Sequence, residues 1–339
     1  MTLRMGIVGL GFMGKMHFDV YGRMKNARVV AICDDDARKR RGDWSSIAGN
    51  IGGAGGRQDL SGVRACSRLD QLLSDDDVDV VDITLPTNLH AEAALAALKA
   101  GKHVFCEKPL ARTSGQCRKV AAAARRARRR VFVGHCMRFW PGYIEARKMV
   151  KSGLYGKVLS AAFNRFSCTP TWSYRNWLQD PVKSGLCALD LHIHDADFVL
   201  YLFGKPKSVT SRGSGFSKGR LDHIVTSYEY RDNMLVTAEA GWEYPAAFPF
   251  SMSFRIMMEK ATLDYGADGL LLYPPKGKPK KVKTATRDGY ESELRHFVDC
   301  VEKNRASTVV TPASATQSVM LIEAETASAL SGRTVKPRL

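Results

Sequence analysis

The chain of 339 residues has no Cys-x-x-Cys pair, no apolar run near the length of a membrane span, and a shortage of acid, with 34 Asp and Glu against 51 Lys and Arg. Its cysteines stand apart at positions 33, 66, 106, 117, 136, 168, 187 and 300, so neither a zinc cluster nor a disulfide framework is indicated. Reduced thiols in the cytoplasm are expected. A membrane helix needs ~20 apolar residues. The apolar start, Met5 to Leu10, is too short and runs straight into a glycine motif, so neither a span nor a secretory leader is expected. Nothing resembles the Gly-Lys-Ser/Thr of a phosphate-binding P-loop.

The formal charge of +17 raises nucleic acid as a partner. Binders concentrate such charge on one face, often with interleaved aromatics. Here the densest run, Arg125 to Arg130, falls at the end of a helix predicted over 115–128, where the helix dipole favours cations. A second cluster, Lys276 to Lys283, is broken by Pro and Gly and reads as an exposed hairpin loop. Neither a nucleic-acid nor a membrane partner is expected, and the charge favours anionic cofactors and small substrates.

What is present begins with residues 4–8, a strand-like run into Gly9-Leu10-Gly11-Phe12-Met13-Gly14, followed by a helical pattern to about Lys25. Gly-x-Gly-x-x-Gly gains meaning from that strand-to-helix context, which makes it a dinucleotide fingerprint. Gly9 permits the tight turn, Gly11 the approach of a pyrophosphate, and Gly14 close packing of helix on strand. The helix N-terminus receives the phosphate charge. A second strand, 28–33, ends at Asp34, where a carboxylate accepts ribose hydroxyls and repels a 2′-phosphate. NAD is favoured; Arg38, Lys39, Arg40 and Arg41 close behind keep NADP possible. Residues 49–62 are glycine-rich and read as a flexible surface loop.

Strands at 78–83, 103–106 and 131–134 alternate with helices, one of them 88–100 ended by Gly101, which implies a parallel sheet. Past about residue 150, strand follows strand at 158–166, 207–215, 222–230, 234–243, 250–258 and 261–265, which implies a largely antiparallel one. Helices at 291–303 and 313–330 close the chain. The fold class is α/β: an N-terminal Rossmann doubly wound parallel sheet over 1–135, then a C-terminal α/β domain with an open, mostly antiparallel sheet over 136–339, its last helix open to packing back on the first domain.

Glu107-Lys108-Pro109 puts an acid, an amine and a proline at a strand end, the edge where parallel sheets bind ligands. By itself, a solvated loop is the plainer reading of the tripeptide. Pro109 holds Lys108 out of helical geometry, which helps present the amine. In the second half, a helical stretch over 186–203 sets Asp190 and His194 four apart on one face. An imidazole beside a carboxylate suits proton transfer, although surface pairing is the plainer reading of two such residues alone. His192 points about 200° away from His194 on a helix, so no shared metal is expected. Arg165 and the segment Trp172, Tyr174 and Trp177 are candidate substrate contacts, the rings by stacking on a sugar, with buried packing as the alternative.

Taken together, these residues resemble the glucose-fructose oxidoreductase / inositol dehydrogenase family (Gfo/Idh/MocA). The resemblance rests on the glycine fingerprint with Met13 and His17, Pro86-Thr87-x-x-His90, Gly101-Lys102-His103-Val104, Glu107-Lys108-Pro109, Arg138-Phe139 before Pro141, and Asp190-x-x-x-His194-Asp195. It implies that Lys108, Asp190 and His194 meet over a nicotinamide. It also implies that Phe12, Met13, Pro86, His90 and Glu107 join Gly9, Gly11, Gly14, Asp34 and Lys108 at the cofactor. The sheet of the second domain would serve homo-oligomerisation, as a homodimer or homotetramer.

The activity implied is NAD(P)-dependent hydride transfer between the nicotinamide and a secondary alcohol or ketone of a sugar, inositol or related polyol, with His194 both base and substrate contact. Gly185-Leu186-Cys187 and His192 stand where the family often has two or three glycines and a small residue. That departure leaves the substrate unnamed. The alternatives are a nucleotide-sugar or trans-dihydrodiol-type dehydrogenase, or a non-catalytic NAD(P)-sensing regulator on the same fold.

Overall fold

Alternation of buried apolar strands with helices builds the first of two units in the computed structural model, which describes residues 2–49, 55–217 and 219–339. Its elements are β1 (Leu3–Val8), α1 (Phe12–Gly22), β2 (Ala27–Cys33), α2 (Ala37–Arg40), β3 (Arg64–Cys66), α3 (Leu69–Leu73), β4 (Val80–Ile83), α4 (Thr87–Lys99), β5 (His103–Glu107), α5 (Ser114–Ala127) and β6 (Val131–Gly134). The six strands are parallel in the order β3-β2-β1-β4-β5-β6. Strand order reverses between β1 and β4, the switch point beyond whose carboxyl ends such sheets bind ligands. The basic run has a structural cause. A Thr113–Gln116 capping box opens α5, and Arg125 and Arg126 lie in its last turn against the negative end of the dipole.

Of the glycine-rich loop expected over 49–62, residues 50–54 lie outside the described residues. Beyond them the chain is tied back, Gly55 N–H to the Ile47 carbonyl, Gln58 N–H to that of Gly42, and the Gly56 carbonyl to the Trp44 N–H. The short β3 and α3 that follow carry too few residues to show a period in sequence.

The second unit starts with a 3-10 turn, Cys136–Phe139, and α6 (Pro141–Ser152), then β7 (Val158–Cys168), α7 (Leu186–Asp190), α8 (Ile193–Phe203), β8 (Ser208–Ser214), β9 (His223–Glu229), β10 (Leu235–Tyr244), β11 (Ser251–Met258), β12 (Ala261–Gly266), β13 (Gly269–Tyr273) and β14 (Lys280–Lys281). The sheet runs β14-β13-β12-β11-β7-β10-β9-β8, with β7 and β10 parallel and every other pair antiparallel. Alternation along β7 sends Phe163 inward, where it meets Phe198 of α8 and Phe254 of β11, and leaves Ser160 and Asn164 on the outer face. The helix expected over 186–203 is interrupted. The Cys187 carbonyl accepts both Leu191 N–H and His192 N–H, at 2.9 and 2.8 Å, which closes α7 before α8 begins.

Two helices follow, α9 (Gly289–Glu302) and α10 (Pro312–Ser331). The first unit takes in the chain up to His135 with Thr171–Ser184 and Tyr290–Thr316; the second takes in Cys136–Pro170, Gly185–Gly289 and Gln317–Leu339. Phe297 of α9 accordingly packs on Phe105 and Phe132. Among the described residues no helix is long and apolar enough to cross a membrane.

Candidate active site

The first unit forms a cradle at the end of β1. Gly9 lies at φ +94°, and a Cβ there would meet the Thr84 carbonyl oxygen at 2.9 Å; one on Gly14 would stand 2.1 Å from the Gly9 oxygen. Both positions therefore exclude a side chain, whereas Gly11 faces open space. Gly11 is also the N-cap of α1 and caps it with no side chain, so the first amides of the helix point over the loop. Phe12 and Met13, half-buried, open that helix.

Asp34 accepts from Leu10 N–H at 2.6 Å and Asp36 N–H at 2.8 Å, with Lys39 Nζ at 3.8 Å. Burial raises its carboxyl above the usual range, and these donors offset that only in part. An open glycine, an uncapped helix start and an acid at the next strand end fit a dinucleotide.

The aromatic segment belongs to this unit. Tyr174 O–H donates to Asp35 Oδ2 at 3.1 Å and lies under Lys39 Nζ, 5.1 Å from the ring centre. Tyr174, expected to stack on a sugar, is thus anchored at the acidic end of β2. Trp172 and Trp177 are half-buried.

At the end of β5 the Lys108–Pro109 peptide bond is cis, and Lys108 is half-buried. Glu107 beside it is buried, and its Oε2 accepts from the Lys108 N–H at 3.0 Å. His90 of α4, also buried, has Nδ1 2.7 Å from the Pro109 carbonyl and Nε2 2.7 Å from that of Leu85, where Pro86 begins α4. Burial lowers the His90 pKa, although both carbonyls favour a proton. The side chains of Glu107 and His90, both expected at the cofactor, are buried and brace the Lys108 turn.

In the second unit Asp190 ends α7 and His194 lies in the first turn of α8, both half-buried. Their neighbours are engaged inside the fold. His192 Nε2 is 2.9 Å from Glu325 Oε2. Asp197 binds Arg138 at 2.6 and 2.8 Å and accepts from Ser318 Oγ. Asp195 takes both arms of Arg165, at 2.7 and 3.0 Å.

Arg165, an expected substrate contact, is 2% exposed, and its guanidinium joins β7 to α8. Cys136 Sγ is 4.0 Å from His194 Nδ1. Among the described residues no group of three or more His, Cys, Asp or Glu is arranged to hold a metal.

Sequence reasoning gave no role to His17, Tyr21 and Asp82. His17 Nδ1 is 2.9 Å from Asp82 Oδ2, which also accepts from Tyr21 O–H at 2.8 Å, and His17 Nε2 is 3.3 Å from Glu107 Oε1, an ion-pair separation. The available signal was Asp82 itself, an acid inside the apolar run Val80-Val81-Asp82-Ile83, because a buried carboxylate requires partners.

A ligand cradle at the switch point of one unit and a mixed sheet in the other fit the class of two-domain proteins that bind dinucleotides. More narrowly, the chain belongs to the GFO/IDH/MocA oxidoreductase family with an NAD-binding Rossmann fold. Residues 3–135 match its N-terminal model and 143–264 its C-terminal domain. It is 35% identical to inositol 2-dehydrogenase 3 of Saccharopolyspora erythraea, over 90% of this chain and 87% of that one. With 2,7-anhydro-N-acetylneuraminate hydratase of Escherichia coli it shares 31% identity over 68% of this chain. The chain spans 56–58% of the length of several curated relatives, that hydratase among them. A levoglucosan dehydrogenase solved with NADH and levoglucosan has the same fold, with a TM-score of 0.82 at 21% identity over all of both chains.

Proposed function

We propose that the protein is an NAD-dependent dehydrogenase acting on a secondary alcohol of a sugar, inositol or related ring polyol. One observation carries the reading: Lys108, Asp190 and His194 stay half-open while Glu107, His192, Asp195 and Asp197 beside them are buried in pairs. An amine, an acid and an imidazole are thus partly exposed in a chain with an NAD-binding domain.

Bound NAD supplies the hydride acceptor. In the proposed reaction His194 takes the hydroxyl proton, Lys108 donates to the same oxygen as negative charge builds on it, and Asp190 orients one or both. Trp172 and Trp177 offer ring faces to the substrate. Asp34 accepts the adenosine ribose hydroxyls, which favours NAD. The names of the relatives, inositol and levoglucosan dehydrogenases, support a ring polyol. Scattered cysteines with no Cys-x-x-Cys pair support a reducing cytoplasm. Exposed Val225, Leu235 and Met257 on the outer face of the second sheet support self-association as a dimer or tetramer.

The test is NADH formation across a panel of inositols, anhydrosugars and other ring polyols. With the active substrate found, His194→Ala and Lys108→Ala should lower turnover roughly 10²- to 10⁴-fold with NAD affinity unchanged. Near-normal turnover by His194→Ala would refute the assignment.

A further inference from the structure

The network around His17 lies outside the reacting groups proposed above, yet it ends on the backbone of one of them. His17 projects from α1, the helix that begins at the glycine loop. It is fully buried, edge-on to Phe105 at 5.2 Å between ring centres, with a carboxylate on each side. Asp82 of β4 holds Nδ1 at 2.9 Å and Glu107 of β5 stands 3.3 Å from Nε2. Tyr21, one turn along α1, supplies the second donor to Asp82, and Glu293 of α9 adds further negative potential at Tyr21. The Glu107 atom not facing His17 accepts from Lys108 N–H. His17 on the cofactor helix thus reaches Glu107 by a 3.3 Å ion-pair contact, and Glu107 in turn accepts from Lys108 N–H.

Two carboxylates buried about one imidazole favour its cationic form, since a neutral ring has only one donor to offer them. Burial alone would lower the His17 pKa; Asp82 and Glu107 outweigh it and raise the pKa to about 10. The cation in turn holds the Glu107 carboxyl below its usual range against the effect of burial.

We propose that His17 is a positioning residue for hydride transfer: clamped between Asp82 and Glu107, it fixes the Glu107 carboxylate that anchors the Lys108 backbone, and so aims the lysine from the cofactor helix. The proposal rests on the reading of Lys108 as the amine that meets substrate.

The test compares wild type, Lys108→Ala, His17→Gln, Glu107→Gln and the double variant His17→Gln/Glu107→Gln. His17→Gln should lower kcat roughly 10- to 100-fold, the range for one lost charge-assisted hydrogen bond. Substrate KM and NAD affinity should move little. Because His17 acts through Glu107, the double variant should lose no more than the worse single one. Additive losses, or a loss confined to NAD affinity, would overturn the proposal. Unchanged turnover in Lys108→Ala would sink the reading beneath it; a dead Lys108→Ala beside a fully active His17→Gln would sink the proposal alone. Should His17→Gln not fold, NMR of histidine-labelled wild type decides. A buried imidazolium that stays protonated on both nitrogens through neutral pH supports the clamp, and one that titrates like an exposed histidine refutes it.

Discussion

Lys108 and Glu107 are adjacent, as are His194 and Asp195, yet in each pair one residue is half-open and the other buried. Function divides at this scale by what each side chain faces. The Asp34 carboxylate holds Leu10 N–H and Asp36 N–H and is the proposed partner of the adenosine ribose. Asp34→Ala should weaken NAD binding at least about tenfold, a loss of the order of one charge-assisted hydrogen bond, and should lower the NAD-to-NADP preference, both measurable by calorimetric titration. Burial raises the Asp34 carboxyl, so NAD affinity should begin to fall on acidification above the ordinary carboxylate range.

His17 sets a second window. Its pKa is raised from 6.5 to about 10, so its stabilisation is full below 6.5 and lost as pH rises through about 10. Chemical denaturation across that range should show falling stability in wild type and a flatter profile in His17→Gln. The glycines and Asp34 were legible because fixed offsets tie them to one turn. Arg165 was not, because a strand arginine is the same letter whether its fork meets water or Asp195.

Among the elements, the strand ends and helix starts carry the site. Gly14→Ala would force a Cβ to within 2.1 Å of the Gly9 oxygen. It should cost about 1–3 kcal/mol as overpacking and spoil NAD binding, read by thermal melts with and without cofactor. Arg165 ties β7 to α8 through a buried ion pair. Arg165→Leu should destabilise the protein by about 3–5 kcal/mol, since Asp195 is left as an unpaired buried charge; equilibrium urea unfolding reports it.

Most strands showed through their alternation and the long helices through their caps. The break between α7 and α8 did not, because the apolar spacing continues across it. Nor did the parallel pairing of β7 with β10, because alternation gives each strand its buried face and says nothing of its neighbour's direction.

For the whole chain, the change from strand-helix alternation to successive strands near residue 150 announced two sheets of different kind. The return of Thr171–Ser184 and Tyr290–Thr316 to the first unit was not visible, because local period carries no information about which distant segment a stretch will pack on. Of the two basic clusters, Arg125 and Arg126 are exposed in the last turn of α5, and Lys280 and Lys281 are both exposed.

The function proposed for this chain is NAD-dependent oxidation of a ring polyol's secondary alcohol, with Lys108 and His194 proposed to handle the hydroxyl. The most direct measurement is mass spectrometry of the cofactor after turnover of a ring polyol deuterated at the reacting carbon. Deuterium should appear in the nicotinamide ring with wild type and fall away with Lys108→Ala and His194→Ala at equal NAD occupancy. Product formed without deuterium in the ring, or undiminished transfer by both variants, would contradict it.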